Sequence, residues 1–326
     1  MIAIPQIIEY LAERISDPVP CFIMQKEVYG EPADSPGYKN AYNQVKQSKW
    51  YRALAGEQRE DGTWGRFHSQ DSKAPKQKYL TTESALGRSR ELSLPKDDPM
   101  IAKCIKAMER YVRGEETWTD NIEKHKDNGK GHMFCRPFMT AANISMFDPE
   151  NPVINPLRDV VVETLETAFA GGYFDENFWG QKVREYHVPS IVAPGTLYGS
   201  MLLQNTNCMG NTLQKYWLDY IWNVKGGIYY VSNVPPAEKQ YLEDKRFIQW
   251  LRTLEVLSGF SLFPEYMNDD VLPHLLHELD RLMNGDVDLS HIKTGRYAES
   301  WRDRDRRKLD MVLRIARIVI KGRISP

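Results

Sequence analysis

Short loops rich in glycine and aromatic residues recur along this chain, and each leads into a helical segment. The most distinct loop spans residues 57–69, where Asp61-Gly62 favours a tight turn and Trp64 supplies a large ring to pack on it. Related loops occur at residues 129–134, 171–180, 226–231 and 284–289. The helices are predicted to begin near Pro20, Thr82, Pro137, Ser190, Asp244 and Asp303, at intervals of 53 to 62 residues. Such a repeat predicts a fold assembled from similar supersecondary units.

Each repeat holds two helices of different character. The first is nearly apolar, as in residues 137–147 and 190–203, and a helix that is apolar on all sides is buried. The second is amphipathic, as in residues 156–169 and 271–283, which is typical of a surface helix over a core. The short alternating segment at residues 227–234 is interpreted as a loop, because it follows a glycine pair. Six helix pairs predict an all-α fold, an (α/α)6 toroid with six inner and six outer helices.

Composition narrows the class of protein further. The 326 residues exceed the usual size of one core, but a closed ring of helical hairpins extends one core continuously. No linker composition interrupts the chain, so one domain is predicted over residues 1–326. A formal net charge of −1 and the absence of a long basic tract argue against nucleic-acid binding. No feature indicates an oligomeric state.

The cellular location of the protein is predicted from the lack of membrane-spanning and signal-peptide features in the sequence. No run in the sequence reaches the roughly 18 apolar residues of a membrane span. The N-terminal segment carries Glu9 and Glu13 without a basic lead, so it is interpreted as an amphipathic helix and not as a signal peptide. Four widely spaced cysteines are typical of reduced, buried thiols. These features together predict a cytoplasmic protein.

Gln58, Asp61-Gly62, Trp64 and Gly65 resemble the Gln-Trp loop motif of squalene–hopene cyclases and related terpenoid cyclases. The same α/α-toroid scaffold carries the β subunits of protein prenyltransferases. The repeat covers essentially the whole chain, whereas the motif is clear once and partial at residues 172–180. The resemblance implies a toroid whose cavity binds or transforms an isoprenoid-like or anionic small molecule.

The catalytic acids of those families are incomplete in this sequence. Class II cyclases protonate their substrate from an Asp-x-Asp-Asp motif, and the nearest match, residues 286–289, ends in Leu289. Class I enzymes hold magnesium with Asp-Asp-x-x-Asp, and residues 97–101 end in Ile101. Prenyltransferases bind zinc through an Asp-x-Cys pair that does not occur here, and His132 with Cys135 is a weak metal pattern. We therefore predict no squalene cyclisation, no magnesium-dependent diphosphate ionisation, no metal and no cofactor.

The ends of the inner helices supply the candidate site, because in a toroid they meet at one mouth. The residues predicted to bind a ligand there are Tyr79, His132, Arg136, Tyr186, Arg246, Trp301 and Arg302. The residues predicted to act in catalysis are His187, Glu83, Asp286 and Asp288. Helix N-termini and guanidinium groups favour anions. The mouth is therefore predicted to hold a carboxylate, phosphate or sulfate, with His187 as the proton-transfer group.

Several candidates also have a purely structural interpretation. His187 opens a very apolar helix, where a histidine is often a hydrogen-bonded core residue. Arg302 heads a stripe with Arg306, Asp310 and Arg314 that fits an ion-paired helix surface. Thr81 or Thr82, beside Glu83, fits a helix N-cap.

The function is left open between two classes. One is an enzyme that works in the toroid cavity. The other is a non-catalytic ligand-binding or interaction protein on the same scaffold. The aromatic residues 173–179 fit either a packed turn or the floor of a pocket for a cation or a sugar ring. Carbohydrate chemistry is a weaker alternative that rests on analogy of fold.

Overall fold

Helices make up all the regular structure in the described part of the chain. The computed structural model describes residues 2–68, 76–118, 129–185, 196–228, 231–267, 270–285, 287–292 and 295–323, without the side chains of residues 129–136, 183 and 185. These residues contain fifteen α-helices and no strand, apart from one isolated bridge between Ile228 and Ser232. The prediction of an all-α protein is confirmed for them.

In chain order the helices are α1 (Ile4–Arg14), α2 (Pro18–Ile23), α3 (Pro36–Gln47), α4 (Lys49–Glu57), α5 (Thr82–Glu91), α6 (Pro99–Val112), α7 (Gly129–Ser145), α8 (Asn155–Ala168), α9 (Glu176–Glu185), α10 (Leu197–Leu203), α11 (Gly210–Asn223), α12 (Phe247–Leu257), α13 (Phe263–Met267), α14 (Val271–Asn284) and α15 (Arg304–Lys321). A π-helical turn, Met24–Val28, continues α2, and a 3-10 turn, Pro152–Ile154, leads into α8. None of the helices in the described residues has the length and apolar character of a bilayer-spanning segment.

The chain divides into two compact units. Unit 1 consists of Met1–Ala53, Glu91–Ser93 and Pro236–Pro326, and unit 2 consists of Leu54–Arg90 and Leu94–Pro235. Unit 1 therefore combines the two ends of the chain. The single domain and the toroid arrangement stay predictions.

In unit 1, α15 packs against α1, α12 and α14. Helix α14 buries Leu275, Leu279 and Leu282 on one face, which confirms its predicted amphipathic character. Helix α15 buries charged as well as apolar residues, because Asp310 and Arg314 are enclosed with its aliphatic side chains. Those two side chains lie in the interior of unit 1, not on an ion-paired helix surface.

In unit 2, α7 packs against α6, α8 and α10. Residues 138–145 of α7 and 198–203 of α10 are all buried, as predicted for the nearly apolar helices. Helix α8 buries Val161 and Leu165 along one side, so the second helix of this repeat is amphipathic as predicted. The alternation of buried and half-buried helices is thus present within unit 2.

Of the six predicted helix starts, Thr82 and Asp303 agree with the structure, and Pro20 and Asp244 lie within three residues of the starts of α2 and α12. Ser190 lies outside the described residues, and Pro137 does not begin a helix. Helix α5 begins at Thr82, and Asp303 caps α15 by accepting the N–H groups of Asp305 and Arg306. Pro137 lies inside α7, which begins eight residues earlier at Gly129. The predicted glycine loop at residues 129–134 is therefore helical. Proline favours a first helical turn, and this preference misplaced the boundary.

Candidate functional site

The loop that follows α4 has the turn geometry that its sequence predicts. Gln58 donates from Nε2 to the carbonyl oxygens of Gly62 and Met100, at 2.9 and 2.8 Å. Gly62 has a φ of +91°, and a β-carbon there would lie 2.7 Å from the carbonyl oxygen of Lys103. Glycine is required at this position because the loop passes so close to the backbone of α6. Gln58 and Gly62 thus hold the loop against α6.

Trp64 connects the same loop to the helices on either side. Its indole is fully buried, and Nε1 donates to the carbonyl oxygen of Leu54, in the last turn of α4, at 2.8 Å. Its backbone N–H donates to Oγ1 of Thr82 at 3.0 Å, and the N–H of Thr82 donates to the carbonyl oxygen of Arg66 at 2.8 Å. The loop therefore satisfies a carbonyl at the end of α4 and an N–H at the start of α5.

Glu83, His68 and Tyr198 form a hydrogen-bonded group in unit 2, which we call the Glu83 cluster. The N–H of Glu83 donates to the carbonyl oxygen of Phe67 at 3.0 Å, which brings His68 beside the first turn of α5. Nδ1 of His68 lies 2.7 Å from Oε2 of Glu83. The hydroxyl of Tyr198 donates to Oε1 of Glu83 at 2.5 Å and lies 3.5 Å from Nδ1 of His68. Both oxygens of one carboxylate are thereby engaged.

Local structure places Tyr198 at this position. Thr196 caps α10 by accepting the N–H of Gly199 at 3.2 Å, so Tyr198 lies in the first turn of that helix. Glu83 lies in the first turn of α5. The N-terminal turns of two helices, 115 residues apart along the chain at this contact, therefore converge on one side-chain cluster.

The accessibility of the cluster is uneven. The side chains of His68 and Glu83 are 33% and 20% exposed, whereas Tyr198 is buried. A carboxylate that accepts the Nδ1 proton of an imidazole fixes its tautomer, so proton exchange falls to Nε2. The buried phenol restricts the carboxylate to one orientation. The arrangement suits an oriented imidazole that exchanges protons with a small molecule.

An aromatic group continues from this cluster. The rings of Phe67 and Trp118 are 5.1 Å apart between centroids, and Tyr111 stacks on Trp118 at 3.7 Å. Nε1 of Trp118 donates to Oγ1 of Thr140, on α7, at 3.1 Å. Because Phe67 precedes His68 in the chain, this packed aromatic group, in which Phe67 and Trp118 are buried, adjoins the Glu83 cluster.

Of the other predicted site residues in unit 2, Tyr79 lies in the described part of the chain and four have side chains outside it. Tyr79 is buried, and its N–H donates to Oε2 of Glu57 at 2.8 Å. The side chains of His132 and Arg136 lie outside the described part of the chain, as do Tyr186 and His187 altogether. Their predicted roles stay predictions.

The predicted residues of unit 1 occupy different environments. Trp301 is buried, whereas Arg302 and Arg246 are exposed, and Nη2 of Arg246 lies 3.8 Å from Oε1 of Glu238. Asp288 accepts the N–H and the hydroxyl of Ser290 at 2.8 and 2.9 Å. Asp286 lies outside the described residues.

The incomplete acid motifs have structural roles. Asp98 is buried and caps α6, since its Oδ1 accepts the N–H groups of Met100 and Ile101 at 2.9 and 3.3 Å. Ile101 and Leu289, which stand where an acid would be needed, are both buried apolar residues. Where the structure describes the chain, no group of three or more His, Cys, Asp or Glu side chains is arranged to hold a metal ion.

Two residues of the Glu83 cluster were not among the predicted site residues. His68 lies near the end of the aromatic loop at residues 57–69, and this position is the sequence signal that could have identified it as a site residue. Tyr198 lies in an apolar helical segment, so no polar residue beside it in the sequence indicates a functional phenol. Comparisons of the chain with protein families, with curated proteins and with solved structures found no match.

Proposed function

We propose that unit 2 binds a small molecule at the Glu83 cluster and that His68, oriented by Glu83, transfers a proton to or from it. The observation that carries this proposal is the pair of contacts on one carboxylate, 2.7 Å to the imidazole and 2.5 Å to the phenol. A positioned histidine–carboxylate pair is a recurrent general acid–base arrangement. Its partial exposure gives a ligand access.

The ligand class follows from the surroundings of the cluster. The rings of Phe67, Trp118 and Tyr111 favour a molecule with an apolar body. The carboxylate of Glu83 favours a hydroxyl or another neutral polar group beside it over an anion, because like charges repel. We therefore propose that the ligand is an isoprenoid-like alcohol rather than a free diphosphate. The α/α toroid and the likeness to terpenoid cyclases are part of the same proposal, and the contacts of Gln58 and Trp64 in the loop at residues 58–67 support them. A cytoplasmic location is proposed with them.

A ligand panel tests the proposal on the full chain. Prenyl alcohols, prenyl diphosphates and short carboxylates are added separately, and the melting temperature is followed together with product formation. We expect a prenyl alcohol to raise the melting temperature, since a ligand that binds only the folded state stabilises it. If no compound in the panel binds, the proposed class of ligand is wrong. A preference for prenyl diphosphates would instead favour the anionic ligand that was predicted for the toroid cavity.

Substitutions within the cluster separate catalysis from binding. Glu83→Gln and His68→Gln should each lower turnover of the bound compound by about 100-fold or more, the usual contribution of a general acid–base group. The affinity should change less than turnover. Glu163→Gln, on the exposed face of α8, is the matched control and should leave both unchanged. Binding that persists without any turnover in the native protein would instead support the non-catalytic alternative.

A further inference from the structure

Two arginines of unit 1 contact the ring of one buried tryptophan. The guanidinium carbons of Arg296 and Arg307 each lie 5.8 Å from the ring centroid of Trp301. Trp301 is 6% exposed, so its ring is a fixed platform. Nε of Arg307 also donates to the carbonyl oxygen of Trp301 at 3.4 Å. The two guanidinium groups are thus positioned before any ligand arrives.

Neither guanidinium forms an ion pair within the described residues. In the described residues, ion pairs engage most arginines of unit 1, such as Arg281 with Glu243 and Arg306 with Asp17. No acid among these residues lies within ion-pair distance of Arg296 or Arg307. Nε of Arg296 is buried and has no hydrogen-bond acceptor in the same part of the chain. A buried donor without an acceptor costs free energy, so an incoming acceptor would relieve it.

Three acids close in sequence to these arginines accept hydrogen bonds from backbone groups. Glu299 accepts the N–H of Lys49, and Asp303 accepts two N–H groups at the start of α15. Asp288 accepts the N–H of Ser290. Hydrogen bonds from Ser290, and to a smaller extent the charge of Arg307, lower the pKa of Asp288. Within the described residues, none of these carboxylates forms an ion pair with either guanidinium.

We propose that Arg296 and Arg307, held by Trp301, bind an oxyanion of the phosphate or carboxylate type. Guanidinium groups donate charge-assisted and often bidentate hydrogen bonds to such anions. This site belongs to unit 1, and it does not depend on the acid–base role proposed for the Glu83 cluster in unit 2.

Calorimetric titration of the full chain tests the proposal with four probes: inorganic phosphate, pyrophosphate, acetate and succinate. Sodium chloride at the same ionic strength controls for general screening. We expect saturable binding of at least one probe, and the order of affinities distinguishes a phosphate site from a carboxylate site. Titrations in which none of the four probes binds saturably would overturn the proposal.

Three variants assign the binding to these residues. Arg296→Gln and Arg307→Gln should each weaken affinity by about tenfold or more, the loss expected when a hydrogen bond to a charged group is removed. Arg306→Gln removes a neighbouring guanidinium that already pairs with Asp17, and it should change affinity by less than about threefold. An equal loss in all three variants would show general charge attraction and overturn the assignment.

Tryptophan emission and the melting temperature distinguish a loss of binding from unfolding of the variants. Trp301→Phe keeps an aromatic platform, so it should retain binding while losing any ligand-induced change in tryptophan emission that arises at residue 301. If the two arginines only pack on the ring, Arg296→Gln and Arg307→Gln will lower the melting temperature and leave affinity unchanged, which would overturn the proposal.

Discussion

A single glycine makes room for a buried charge in unit 1. Nε of Arg314 lies 2.8 Å from Oε1 of Glu255 and 3.2 Å from the hydroxyl of Tyr297, and the arginine side chain is 4% exposed. Gly295 has a φ of +74°, and a β-carbon there would clash with the guanidinium of Arg314. The conformation disfavours a side chain at position 295, and the contact would force Arg314 to move.

Gly295→Ala should therefore lower the free energy of unfolding by about 3 kcal/mol, since it strains the backbone and displaces a buried guanidinium from its carboxylate. Gly114→Ala is the control, because Gly114 has a φ of +75° with nothing within 4 Å of the added carbon. Its cost should be about 1 kcal/mol. Urea unfolding measures both, and equal losses would contradict the role of the contact with Arg314.

At the scale of an element, the loop at residues 58–67 acts as a connector between three helices. It contacts the end of α4 through Trp64, the start of α5 through Thr82, and α6 through Gln58. Its hydrogen bonds are made by side chains and turn backbone, so their loss does not break any helix. The Glu83 cluster depends on it, because the loop delivers His68 to α5.

Gln58→Met should cost about 1 to 2 kcal/mol, because it removes two hydrogen bonds and leaves the carbonyl oxygens of Gly62 and Met100 without that donor. Gln47→Met is the control, since Gln47 is exposed and accepts one hydrogen bond from Arg52. That change should stay within about 0.5 kcal/mol. Denaturant titration gives both values, and indistinguishable midpoints would show that the amide of Gln58 contributes nothing.

At the scale of the whole molecule, charges join distant parts of the chain within unit 1. Arg317, on α15, donates from Nε and Nη2 to the two carboxylate oxygens of Glu27, at 2.8 and 2.9 Å and 290 residues away in sequence. Glu27 lies in the π-helical turn, and it also accepts the hydroxyl of Ser93. Three separate segments of unit 1 thus meet at one carboxylate.

This contact makes unit 1 sensitive to acid. Burial alone would raise the pKa of Glu27, but Arg317, Lys321 and the Ser93 hydroxyl together lower it to about 2 from 4.5. The carboxylate therefore contributes about 3 kcal/mol of stability. The contribution is complete above pH 4.5 and is lost as the pH falls from there towards 2.

Glu27→Gln should remove this pH dependence. At pH 7 it should cost about 3 to 5 kcal/mol, because Arg317 is left without its carboxylate. Between pH 4.5 and 3 the variant should lose less stability than the native protein. Urea unfolding at both pH values measures the difference, with Glu163→Gln as the exposed control, and parallel losses in the native protein and in Glu27→Gln would contradict the prediction.

The sequence alone was sufficient for features that depend on neighbouring residues. The period of apolar positions identified the buried and amphipathic helices, and Asp61-Gly62 identified the turn, because side-chain direction and glycine conformation are local properties. Thr82 and Asp303 marked two helix starts for the same reason. A boundary that depends on more than local preference, such as the start of α7 ahead of Pro137, was missed.

The candidate sites needed the tertiary structure. His68, Glu83 and Tyr198 become neighbours when two helix N-termini converge, and no periodicity encodes that convergence. The burial of Arg314 and the pairing of Glu27 with Arg317 follow likewise from packing, since the sequence pattern of α15 is equally compatible with an exposed, ion-paired face. The sequence by itself determined the all-α class and the apolar faces of several helices, but it assigned residues 129–134 and 176–180 to loops although they are helical. Only the folded chain decided which charged groups lie together, because contacts across long separations depend on how the helices pack.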